Sequence, residues 1–121
     1  MRFKPASKWR GSRAIQGEII VVFIYITCAS EEEARRIGQT LLKKGAAGCV
    51  NIFPIHSMYR DGGKPREAEE YALIIKTIES KVQATEDVIK EHHSYKIPCV
   101  ATFALLRMNR EYKEWLATQI T

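Results

Sequence analysis

Two adjacent histidines, His92 and His93, stand in KEHHSYKIPCV (90–100), followed by Tyr95, Pro98 and Cys99. Far upstream, Cys28 stands in TCASEEE (27–33), two residues before a serine that can open a helix. Thiol and imidazole together suit soft and borderline cations, copper and zinc above all, and copper heads the divalent affinity order. A thiol beside a helix start is also expected to ionise readily, because the positive helix end favours thiolate. The histidine pair has two readings. Neighbouring side chains on a helix diverge by about 100°, so both reach one ion only where the helix has already unwound. Otherwise one packs beneath the helix end or caps its carbonyls, and the other is solvated. Which applies depends on where the fold brings Cys28.

The elements that position these residues are readable from periodicity and punctuation. IIVVFIYI (19–26) is β-branched and aromatic without alternation, as in a strand covered on both faces. Ser30 with Glu33 forms a capping box, in which Ser30 caps the Glu33 amide and Glu33 reaches back. Helical spacing then runs through Ala34, Ile37, Leu41 and Leu42 to Lys43, Lys44 and Gly45, giving a helix over 31–44. A second strand spans 46–59, with Pro54 demanding an edge position or a bulge. RDGGK (60–64) is a turn and EYALIIKTI (70–78) a third strand. Ser80 with Gln83 suggests another capping box ahead of a helix ending at 92. CVATFALL (99–106) is a fourth strand, and Asn109 caps a last helix bearing Tyr112, Trp115 and Leu116.

The order β-α-β-β-α-β plus a terminal helix predicts an α+β, ferredoxin-like sandwich with an antiparallel sheet and both main helices on one face. In that topology the end of the first strand, the end of the second helix and the start of the fourth strand share one rim. Cys28, His92, His93 and Cys99 are therefore expected together, with the hairpin tip from Tyr59 to Lys64 pointing the same way. Strands apolar on both faces, in a sheet covered by helices on one, imply a homo-oligomer. Other polar residues have plain structural readings. Cys49 is a small core residue, Glu31–Glu33 complement the helix dipole, and Glu67, Glu69 and Glu70 form a solvated hairpin flank. Lys76, between apolar neighbours, snorkels or pairs across the sheet.

At 121 residues the chain fits a single domain, 19–121, preceded by a basic extension expected to be disordered. Of the net charge of +5, residues 1–18 hold +4. The body is near neutral and shows no stripe of arginines and aromatics, so no nucleic-acid partner is expected. The longest apolar run is far short of the ~20 residues of a membrane span, and residues 1–18 lack the apolar middle of a secretory signal. Three widely spaced cysteines do not make a disulfide framework, which points to a reducing, cytoplasmic setting.

The chain from about 19 to 119 resembles the CutA family, the divalent-cation tolerance proteins. The matching segments are TCASEEEA (27–34), LLKKGAAGCVNI (41–52), SMY (57–59), GK (63–64), IKT (75–77), HSYKIP (93–98) and YKEWL (112–116). The resemblance implies a ferredoxin-like protomer in a homotrimer, with copper binding by Cys28, His92 and His93; Tyr59, Tyr95 and Cys99 are further candidate site residues. This chain departs from the family at Arg60–Asp61–Gly62, where a Trp and an acidic residue are usual, at Cys99 in place of Glu, and at Gly48 in place of Ala. The expected function is that of a non-enzymatic, trimeric metal-response protein. The rival is a PII-like signalling module, for which Gly62, Gly63, Lys64 and Arg66 are a meagre phosphate cradle. No Ser-His-Asp order or CxxC motif favours an enzyme.

Overall fold

A computed structural model describes residues 19–121; the basic segment 1–18, expected from the sequence to be a disordered extension, lies outside them. The strands are β1 (Val21–Cys28), β2 (Cys49–Asp61), β3 (Lys64–Ile78) and β4 (Val100–Ala104), and the helices α1 (Glu31–Lys43), α2 (Val82–His92) and α3 (Arg110–Gln119). They form one antiparallel sheet in the order β2-β3-β1-β4, the ferredoxin-like arrangement expected. Among the described residues, no helix is long and apolar enough to cross a membrane.

Alternation sorts the sheet into two faces. Val22, Ile24, Ile26 and Cys28 point towards α1 and α2, where they bury with Ile37, Leu41, Leu73, Ile75 and Ile89. Val21 points the other way and packs with Cys49 and Leu116, flanked by Phe23, Ile78 and Trp115. The doubly apolar reading of the first strand therefore holds, but its cause is partly internal. α3 covers the lower half of the second face, a role the sequence had assigned wholly to a partner. The upper half, towards the end of β1, stays open, with Phe53 39% exposed, while Phe103, opposite Phe23 on the edge strand β4, is 51% exposed.

The capping box on α1 forms, with a shift. The Glu33 amide donates to Ser30 Oγ at 3.1 Å, but the Glu33 carboxylate takes the amide of Ala29, not Ser30. At the other end Gly45, at φ 70°, closes a Schellman turn: its amide reaches Leu42 O and that of Ala46 reaches Leu41 O. The predicted box at Ser80 and Gln83 does not form. Glu79–Lys81 make a 3₁₀ turn instead, and Gln83 bonds Asp87 along α2. Asn109 occupies the N-cap position of α3 without a side-chain bond. Gly48 also finds its reason, since a Cβ there would come 2.5 Å from Leu116 Cδ1, so α3 packs where the family's usual alanine would sit.

The hairpin is longer than its hydrophobic pattern indicated. β3 begins at Lys64, six residues before the predicted start, and β2 runs to Asp61 through Pro54 on an edge strand. Gly62 and Gly63, both at positive φ, form the two-residue turn whose twist suits a hairpin. β1 pairs with β3 only from Tyr71 onwards, so residues 55–61 and 64–70 project as a two-stranded ribbon of about 23 Å. The glutamates on that ribbon are not simply solvated. His56 lies between Glu69, directly across the ladder, and Glu67, whose Oε1 is 2.6 Å from its Nε2. Its bonds to Glu69 and then Glu67 raise the imidazole pKa. Lys76 stays at the sheet, its ammonium over the rings of Phe23 and Tyr112 at 5.6 and 5.3 Å.

Candidate metal site

β1 ends at Cys28, and the chain turns through Ala29 and Ser30 directly into α1. One helical turn on, Glu33 faces inward and is only 4% exposed. On the same rim α2 stops at His92, and His93 adopts an extended backbone at φ −82°, ψ 138°. Unwinding turns the His93 ring under the helix end. Its Nε2 donates to Thr27 O at 2.7 Å, and its Nδ1 accepts the Tyr95 amide at 3.0 Å. One donor atom each from Cys28, Glu33 and His93 then lies within 4.8 Å of the others.

The rim assembled by topology therefore exists, with a different membership. His92 stays on α2, half-exposed, its Nε2 3.9 Å from Glu91 and its carbonyl accepting from Arg36 at 3.3 Å. The helical divergence that separates adjacent side chains holds for it and is lifted for His93 alone. Cys99 is exposed just ahead of β4 and does not join the group of Cys28, Glu33 and His93. Tyr59 lies far out on the ribbon, opposite Arg66. Tyr95 does belong here: its ring lies 4.8 Å from that of His93, and its hydroxyl donates to Glu70 Oε2 at 2.5 Å. Glu70 is thus a partner of the rim, not a solvated flank.

Glu33 is the residue that sequence reasoning missed. Read as one of three acids complementing the helix dipole, it is buried because α1 packs on the sheet with that face inward. Its place at the third position after Ser30 was the available signal, since a capping-box glutamate must fold back towards the strand end. Its Oε1 accepts the Ala29 amide at 3.1 Å and its Oε2 the Ser94 amide at 2.5 Å. Burial alone would raise its pKa; the bonds from Ser94 and Ala29, with the nearby His93, outweigh that and hold the carboxyl below its ordinary range.

The thiol behaves contrary to expectation. Burial first, then the charges of Glu33 and Glu70, push Cys28 up to about 12, with Arg36 opposing weakly. In kind, sulfur, imidazole nitrogen and carboxylate oxygen fit zinc or copper and do not fit hard ions such as calcium or magnesium. A tetrahedral ion with bonds of ~2.0–2.3 Å would bring such donors to roughly 3.5 Å of one another. No disulfide joins Cys28, Cys49 and Cys99.

A family described as CutA1 divalent ion tolerance protein matches residues 22–119. A divalent-cation tolerance protein CutA of Archaeoglobus fulgidus is 45% identical over 94 residues, 78% of this chain and 92% of that protein. One from Thermococcus kodakarensis is 36% identical over 96 residues, 79% of this chain and 92% of that protein. Among solved structures, the periplasmic divalent cation tolerance protein CutA of A. fulgidus superposes with a TM-score of 0.82 at 41% identity, covering 84% of this chain and all of that one.

Proposed function

Because this chain belongs to the CutA1 divalent ion tolerance family, we propose that it binds a borderline divalent cation, copper in the first place, at the rim of Cys28 and His93. The observation carrying this reading is the convergence of Cys28, Glu33 and His93 within 4.8 Å in a chain of that family. Bound there, the ion would supply a fixed positive charge between β1, α1 and the end of α2. Cys28 would hold it by sulfur and His93 by a ring nitrogen. The reading is of a binding and response protein, not an enzyme: the thiol beside the imidazole is buried and held protonated, the opposite of what nucleophilic catalysis requires. Reduced cysteines suit a cytosolic setting.

Calorimetric titration with copper tests the site. The parent is expected to bind, and Cys28→Ser and His93→Ala each to bind at least about tenfold more weakly, while His92→Ala stays near the parent. Parent-like binding by both Cys28→Ser and His93→Ala would refute the assignment.

We propose further that the working form is a homotrimer. A projecting two-stranded ribbon is at best marginal in water on its own, and this one exposes 74% of Met58 beside an open apolar half-face. A second and third copy would cover both, with the number three drawn from the family resemblance. Light scattering is expected to return three chains; a mass of one chain would refute it.

A further inference from the structure

Granted that a cation sits at Cys28, as proposed above, the one lone pair that His93 could offer it is already engaged. Glu33 accepts the Ala29 amide on one oxygen and the Ser94 amide on the other, which leaves each oxygen a second lone pair for a cation. His93 donates from Nε2 to Thr27 O, which leaves Nδ1 as its acceptor, and Nδ1 takes the Tyr95 amide. A neutral imidazole has one lone pair. A cation on Nδ1 displaces the Tyr95 amide outright. A cation on Nε2 forces the ring proton onto Nδ1, which can then no longer accept that amide. By either nitrogen, the Tyr95 N–H loses its partner.

We propose that Glu33 is a cation ligand alongside Cys28 and His93, and that the cation takes over the His93 lone pair that now fixes the Tyr95 amide, so that binding releases the turn at Tyr95. The two states are mutually exclusive: closed, with the Tyr95 amide pinned to His93, or loaded, with that amide free. The released segment carries the Tyr95 ring, whose hydroxyl holds Glu70 at the root of the ribbon. The site is therefore linked to the hairpin through one side chain. A cation arriving at the rim would be felt there without any ligand on the hairpin itself.

Zinc alone serves as the probe, since it neither oxidises a thiol nor changes valence. Amide hydrogen exchange on the full chain, read residue by residue, is expected to quicken by about tenfold or more at Tyr95 on adding zinc, while amides inside β1 and β3 stay protected. Calorimetry is expected to show Glu33→Gln binding zinc about tenfold or more weakly than the parent. Zinc binding that is lost in Cys28→Ser, yet leaves the Tyr95 amide as protected as before and Glu33→Gln at parent affinity, would overturn this inference and leave Cys28 as a ligand. Undiminished binding by Cys28→Ser would overturn the Cys28 assignment and this inference together. The amide readout uses the parent protein, so it stands even if a Glu33 variant folds poorly.

Discussion

Glu33→Ala is expected to lower stability by about 3 kcal/mol or more, an effect usually seen for large core truncations. The side chain fills little apolar space. Its weight comes from accepting the amides of Ala29 and Ser94, which tie the start of α1 to the chain leaving α2. A hydrogen bond to a charged group contributes about 1.5–3 kcal/mol, and an abandoned donor costs its desolvation as well. Glu33→Gln, which keeps the shape and one acceptor, is expected to fall between. The acid side of the stability curve carries the same signature. With its folded pKa held low, Glu33 binds a proton less readily in the fold than in the unfolded chain. Its contribution is present above the ordinary carboxylate pKa and is lost as pH falls through the lowered one. Urea midpoints at fixed chain concentration, measured from pH 7 down to 3, check both points. A Glu33→Ala midpoint matching the parent would show that the two amides find other partners.

Cys28 is expected to be nearly inert to alkylation in the folded protein. A thiol pushed up to about 12 carries on the order of a thousandfold less thiolate at pH 8 than an ordinary one, and the thiolate is the nucleophile. Timed iodoacetamide labelling followed by peptide mass analysis should find Cys28 modified only once urea is added. Labelling of Cys28 in native protein at its denatured rate would contradict the burial described. The alkaline limb follows from the same proton. The fold binds it more tightly than the unfolded chain does, so the stability it confers is full below the ordinary thiol pKa and is lost as pH rises towards about 12. Tyr95, raised by burial and then by its bond to Glu70, pulls in the same direction. Cys28→Ser should flatten that limb. A cation bound by this sulfur must displace the proton, so binding there strengthens with pH.

The local grammar of the chain was legible without coordinates. Ser30 and Glu33 three residues apart, Gly45 after two lysines, and paired glycines between two extended runs each specify a cap or a turn through atoms a few residues apart. The order of those elements then sufficed for the sheet, and the sheet for the rim that Cys28 and His93 share. Three things were decided only by the packed structure. The ribbon outran its apolar pattern because register is propagated by backbone pairing, which Glu67, Glu69 and Glu70 join as readily as Ile74 does. The lower half of the second face went to α3, since Gly48 leaves room for Leu116. Membership of the site turned on one backbone torsion at His93 and on which acid of three faced inward. Such choices depend on the balance of burial against hydrogen bonding over contacts some sixty residues apart, and a linear pattern contains no record of that balance.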